Sequence, residues 1–197
     1  MLSSNDIEQL LSSDQQFDQL YPTQFQKISS THWSPLEKIN VALEWLDAKS
    51  GMKILDIGSG VGKFCTAGAL RYKGDFTGVE IRKSLFNEAR KVKTKLELDN
   101  LNFIHSDILD IDFKDYHHFY YFNPFNEQIT ETGWIDQKLE FSDHQFKEYE
   151  QYVFQQLEAM PKGTKVVTYH SSNFYIPKAY VLSNLMFNGT LELWEKG

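Results

Sequence analysis

The chain has 197 residues, 41% of them hydrophobic and 15% aromatic, with no low-complexity tract, which suits one packed domain and excludes a disordered chain. Its net charge of −7, with no basic cluster longer than the mixed run "RKVKTK", argues against an extended nucleic-acid footprint and leaves protein and small-molecule partners open. One cysteine, Cys65, allows no intrachain disulfide and no CxxC zinc site, so no metal is expected, and no apolar run approaches the roughly 20 residues that span a bilayer.

The first segment, "SSNDIEQLLSSDQQFDQLYP", spaces Ile7, Leu10, Leu11 and Leu20 at loose helical intervals and stops at Pro22. It lacks the basic-then-apolar pattern of a signal peptide. Residues 1–32 are therefore expected to form a helical extension to a domain spanning 33–197, in a cytoplasmic protein. "SPLEKINVALEWLDAK" predicts a clearer helix: Ser34 and Glu37 make a capping-box pattern, Pro35 suits the first helical position, and Leu36, Ile39, Leu43 and Leu46 share a face.

Strands and helices then alternate. "MKILDI", "DFTGVE", "LNFIHSD", "HHFYYFNP" and "TKVVTYH" read as five strands. "VGKFCTAGALRY", "RKSLFNEARKVKTKLEL" and "DHQFKEYEQYVFQQLEAM" read as helices, the last opened by a capping-box pattern at Ser142 and Gln145. This succession predicts a parallel sheet with helices on both faces. The end of the chain departs from it. "AYVLSNLMF" and "TLELWEK" flank Asn188-Gly189, a two-residue hairpin signal, so the sheet is expected to finish with an antiparallel pair. The expected fold class is α/β, a three-layer Rossmann-like sheet, mostly parallel, with a C-terminal antiparallel hairpin.

The chemistry gathers at "LDIGSGVGKF", where three glycines follow the first strand. A P-loop requires G-x-x-x-x-G-K-[ST]; Gly62-Lys63 supplies the second half, but Ile57 stands at the first glycine and Phe64 at the hydroxyl. A dinucleotide fingerprint fits Gly58, Gly60 and the distant acid Glu80, yet Lys63 stands where its third glycine belongs. The single-domain reductases of that fold use Tyr-x-x-x-Lys, and none of the ten tyrosines has a lysine four residues on.

The remaining pattern is Asp-x-Gly-x-Gly-x-Gly from Asp56 to Gly62, with Glu80 ending "GVE", Asp107 in "SD" after the third strand, and Asn123-Pro124-Phe125 after the fourth. In these residues, and in its terminal hairpin, the chain from about residue 33 onward resembles the class I, seven-strand methyltransferases that use S-adenosylmethionine. The resemblance implies a cofactor-binding set of Asp56, Gly58, Ser59, Gly60, Gly62, Glu80, Ile81, Asp107, Ile108 and Asn123. It implies that Glu80 takes the ribose hydroxyls, that Asp107 takes the adenine amino group and that Ile108 packs on the ring. It also implies that Asn123, Pro124 and Phe125 position the acceptor. Carboxylates at strand ends suit a cationic sulfonium donor that carries no pyrophosphate.

A second resemblance, in "WSPLEKINVALEWLDAKSGMKILDIGSGVGKF" and "FTGVEIRKSLFNEAR", is to the seven-strand protein-lysine methyltransferases. Together these imply methyl transfer to N or O of an unidentified acceptor, a protein lysine among the candidates. The alternatives are a non-catalytic nucleoside-binding module and a small NAD(P)-dependent reductase. Residues 125–141, with Trp134 and Ile135, form a long connection expected to fold over the acceptor. Only about ten residues separate the fifth strand from the hairpin, so the helix expected there is short or absent. Cys65 reads as a core residue, and His117-His118 as a strand entry.

Overall fold

The computed structural model describes residues 2–27, 29–124, 143–171 and 174–197. Its first thirty residues form four short helices, α1 (Ser4–Leu10), α2 (Asp14–Asp18), α3 (Thr23–Gln26) and α4 (Ser29–His32), where the sequence suggested one helical run. The serine pair 12–13 makes the break. Ser3 caps α1 in a reciprocal box with Asp6, and the Ser13 side chain accepts from the Gln16 N–H to open α2.

The next helix, α5 (Leu36–Leu46), starts where expected but is capped differently. The Leu36 N–H donates to Asp14 Oδ1 at 2.9 Å, and Ser34 instead shares a 2.7 Å hydrogen bond with the Tyr120 hydroxyl. A carboxylate from the extension has replaced the local serine, which is freed to satisfy a buried phenol. Pro35 precedes the helix, at the cap itself.

The strands are β1 (Lys53–Ile57), β2 (Asp75–Glu80), β3 (Leu101–His105), β4 (His118–Tyr121), β5 (Lys165–Tyr169), β6 (Tyr180–Met186) and β7 (Leu191–Lys196). They form one sheet in the order β3-β2-β1-β4-β5-β7-β6, parallel through β5 and antiparallel at β7 and β6. Helices α6 (Lys63–Arg71), α7 (Lys83–Leu96) and α8 (Asp143–Ala159) complete the chain's long elements. Ser142, and with it the expected capping box at α8, lies outside the described residues. Among the described residues no helix stands between β5 and β6, and none is long and apolar enough to cross a membrane.

Alternation along the central strands builds two cores. Ile54 and Tyr120 face α5, α6 and α7, where the Phe64 and Tyr120 rings stack with centroids 4.0 Å apart. Leu55, Ile57, Phe119 and Tyr121 face the other way, toward Val153 and Leu157 of α8 and toward Phe113. The extension belongs to the first core. Phe17 is fully buried, and Tyr21 and Trp33 meet edge-on at 4.8 Å.

Beneath them lies Lys63, 5% exposed, with Nζ 2.6 Å from Asp14 and 2.8 Å from Asp18. An ammonium taken out of water is tolerable because two carboxylates meet it. Since Lys63 is the first residue of α6, this network ties the extension to the glycine turn.

His117 and His118 do mark a strand entry: their Nδ1 atoms accept from the Lys53 and Lys165 N–H groups, each at 3.0 Å. At the far edge Asn188 and Gly189 both adopt positive φ, as a tight hairpin turn demands. Pairing ends at Met186–Leu191, however, so the connection comprises residues 187–190.

Candidate functional site

In an open α/β sheet ligands bind beyond the C-terminal strand ends, where the order reverses. Here that point lies between β1 and β4. The turn after β1 holds Gly58 at φ 73° and Gly60 at φ 57°. A side chain at Gly58 would have its Cβ 2.4 Å from Pro124 Cβ, so the β4 end rests directly on the turn. Gly60 faces open space and turns its N–H toward Glu80.

A narrow cleft of about 40 Å³ opens beside this contact, lined by Gly58, Val79, Glu80, Ile81, Arg82, Ser106, Asp107, Ile108, Pro124 and Tyr149. Glu80, 5% exposed, is held by backbone: Oε2 accepts from the Gly60 N–H at 2.9 Å and Oε1 from the Arg82 N–H at 2.7 Å. A carboxylate is acceptor-only and can take two hydroxyl donors such as those of a vicinal diol. Asp107 accepts from the Leu109 N–H through Oδ1 and from the Tyr149 hydroxyl, at 2.8 Å, through Oδ2. Ile81 and Ile108 give the cleft apolar walls.

Asp56 stands behind the turn, 4% exposed, where its Oδ2 accepts from the Cys65 thiol at 3.6 Å. Burial, with the Glu80 charge adding to it, pushes its carboxyl up to about 7. The Cys65 thiol is pushed well up by the same burial and by the neighbouring acid.

Six sequence-derived candidates therefore meet in the cleft: Gly58, Glu80, Ile81, Asp107, Ile108 and Pro124. Gly60 reaches it through its N–H on Glu80. The others sit apart from its lining. The Ser59 hydroxyl turns back against Gly78, buried without a hydrogen-bond partner among the described residues, because the turn points its side chain into the sheet. Gly62 backs onto the Phe103 ring. Asn123 has left-handed φ, 37°, and its N–H donates to Ser171 Oγ at 3.1 Å. Phe125 lies outside the described residues, as do Trp134 and Ile135. Tyr149, Arg82 and Ser106 were not anticipated. A tyrosine on the buried face of α8 carries no pattern that separates it from a core residue.

The chemistry of the lining is compatible with an adenosyl sulfonium donor, although the cleft itself is narrow. It brings together a buried carboxylate, Glu80, and a second acid, Asp107, beside the apolar Ile81 and Ile108. A phosphate would meet the Glu80 carboxylate with like charge.

This strand order with its reversed seventh strand, joined to an acid-first glycine turn and an acid closing β2, defines the Rossmann-like class I methyltransferases, for which S-adenosylmethionine is the methyl donor. Residues 48–171, more than half the chain, match a family model described as a methyltransferase domain, and the chain belongs to that family.

A 70-residue stretch is 37% identical to the 23S rRNA (uracil(1939)-C(5))-methyltransferase RlmD of Shewanella frigidimarina, covering 36% of this chain and 15% of that protein, so the chain spans only a small part of that relative. An RNA methyltransferase from Salinibacter ruber, in complex with S-adenosyl-L-homocysteine, superposes with a TM-score of 0.58 at 16% identity, covering 82% of this chain and 90% of that one. TrmN from Thermus thermophilus gives 0.61 at 16% identity, over 88% of this chain and 52% of that one. At such identity these two structures speak for the fold alone.

Proposed function

We propose that the protein transfers a methyl group from S-adenosylmethionine to a nitrogen or oxygen atom of an RNA nucleotide. The observation that carries the RNA acceptor is the 37% identity over 70 residues to a ribosomal-RNA methyltransferase. That relative's name specifies C5 of uracil. Methylating this carbon calls for a thiolate that adds to the ring first, and thiolate supply depends on a low thiol pKa. The chain's one cysteine is buried against Asp56 and pushed upward, so it cannot supply that thiolate. Transfer to N or O needs no such addition.

When bound, the donor supplies an electrophilic methyl on sulfur, and the reaction is an in-line displacement helped chiefly by alignment. In our reading Glu80 holds the ribose and Asp107 the adenine amino group. Asp56 fixes the turn from behind, and the Asn123-Pro124 turn, resting on Gly58, borders the acceptor side. Ser171 braces Asn123 through its N–H. A protein-lysine acceptor rests on the weaker sequence resemblance alone.

The test is labelled methyl transfer into RNA, protein and metabolite fractions of a cell extract, followed by nucleoside analysis. Label in RNA as N- or O-methyl nucleosides is expected. Label confined to protein as methyl-lysine, or recovered as 5-methyluridine, overturns the proposal.

A further inference from the structure

A second groove, wider than the candidate cleft, lies elsewhere on the described structure. It lies between α3 and α7, about 670 Å³, with Gln24 and Phe25 on one wall and Arg90, Lys91 and Lys95 on the other. Ser84, Asn87, Glu88 and Thr94 complete the second wall, so one acid lines the groove among its cations.

The charge there runs against that of the rest of the molecule. Residues 82–95 contain six Lys and Arg and a single acid, Glu88, a local charge of +5 in a chain of −7. A cationic helix face is ordinarily just solvated, and ordinarily carries its own acids one turn away. Glu88 is the only acid within α7 and it bonds Lys91 at 2.6 Å, so Arg90 and Lys95 have no counter-charge from their own helix. Arg90 sits over the Phe86 ring, with 5.6 Å to the centroid, which holds the guanidinium at a defined height.

Phe25 is half-buried, so part of its ring stays accessible beside those cations. Amide and hydroxyl side chains fill the space between. A positive track flanked by an aromatic face and neutral donors is the chemistry that binds single-stranded nucleic acid: cations take phosphates and the ring takes a base. An acidic peptide would use the cations but gain nothing from the ring.

The groove also points the right way. Arg82 lines the candidate cleft and Ser84, two residues on, lines the groove, so both features meet the start of α7. From Ser84 to Lys95 it extends about 16 Å at helical rise.

We propose that the groove between α3 and α7 is a docking surface for single-stranded RNA, with Arg90, Lys91 and Lys95 on phosphates and Phe25 stacking on a base. The inference rests on the RNA reading above and adds a location to it. It assigns the N-terminal helices a role in substrate capture.

The experiment measures binding of a fluorescein-labelled oligo-uridine by anisotropy across a salt series. It compares the native chain with Arg90→Gln/Lys91→Gln/Lys95→Gln and with Phe25→Leu. The triple variant is expected to bind at least 10-fold more weakly, with a salt slope shallower by about 2, since each single-strand phosphate contact contributes roughly 0.7. Phe25→Leu is expected to lose several-fold affinity with the slope kept. S-adenosylhomocysteine affinity should be unchanged in both.

Photo-crosslinking of a 4-thiouridine oligonucleotide to the native chain needs no variant and should label α3 or α7. Unchanged affinity and slope, crosslinks confined to the C-terminal hairpin, or equal competition by polyglutamate overturns the docking surface. Native methyl transfer to RNA alongside unchanged variant binding removes the groove and keeps the function. Methyl label found only in protein, with oligo-uridine binding lost in the variant, removes the function and keeps the groove.

Discussion

The two ends of the cofactor cleft are each built on one carboxylate, and they are held in different ways. Glu80 is fixed by two backbone N–H groups, from Gly60 and Arg82, so its position follows from the path of the chain. Asp107 owes one contact to backbone and the other to a side chain, the Tyr149 hydroxyl of α8. A carboxylate held by main chain is preorganised whether or not a ligand is present. One held by a phenol must share or exchange that partner when a ligand arrives. The first end is a scaffold and the second resembles an adjustable clasp.

The largest effect should come from behind the scaffold. Replacing Lys63 with Met leaves the nearly buried Asp18 without its cation, which costs about 3 kcal/mol, the low end for a buried pair because Asp14 is half exposed. Chemical denaturation should show that loss, and Asp14→Asn/Asp18→Asn in the Lys63→Met background should recover much of it. A loss under 1 kcal/mol would mean that the extension does not brace the glycine turn.

Next comes the scaffold acid. Glu80→Gln keeps the shape but replaces one acceptor with a donor facing the Gly60 or Arg82 N–H. S-adenosylhomocysteine affinity measured by calorimetry should fall about 100-fold, roughly 2.7 kcal/mol. Asp107→Asn should cost less, about 10-fold, because its site is already adjustable. The reverse ranking would break the comparison.

Tyr149→Phe sharpens it. Removing the hydroxyl frees Asp107 Oδ2, so affinity should rise by a few-fold, with little change in the melting temperature. A fall would show instead that the phenol itself contacts the bound nucleoside.

The same contrast explains what could be read from sequence. Glu80 was legible because a strand ending in "GVE" after a glycine turn places its carboxylate by backbone geometry alone, and β2 begins and ends where the sequence indicated. The β1 turn was legible for the same reason. Tyr149 was not, because its role depends on how α8 packs against residues some forty positions earlier. The α5 cap shows the failure most clearly. Ser34 and Glu37 form a plausible local box, but Asp14 arrives from 22 residues upstream and takes the Leu36 N–H. Local patterns identify a need for a hydrogen bond, and tertiary packing decides which group meets it. Ser59 shows the same limit: its place in the glycine turn was legible, and the direction of its hydroxyl, toward the sheet, was not.

The smallest expected effect is a cancellation. Burial holds the Asp56 carboxyl up to about 7 against an ordinary 3.8, while burial and the Lys165 charge press His118 down to about 4 from 6.5. Between about pH 4 and 7 the folded state keeps a proton on Asp56 that the unfolded chain has released, so this group makes stability fall as pH rises. Between about 6.5 and 4 the unfolded chain takes up a proton at His118 that the folded state refuses, so that group makes stability fall as pH drops. The slopes oppose each other over nearly the same window, and native stability should vary little across it.

Single variants should expose each half. Asp56→Asn should leave a protein that weakens toward acid, and His118→Asn, whose carbonyl can still accept the Lys165 N–H, one that weakens toward neutral pH. A cationic donor beside Asp56 favours its ionised form, so ligand binding near pH 6.5 should release a fraction of a proton. Calorimetry of S-adenosylmethionine in buffers of different ionisation enthalpy reads that release directly. Neutral S-adenosylhomocysteine thioether, lacking the sulfonium charge, should release less, and equal release from both would place the sulfur too far from Asp56 for the turn to sense its charge.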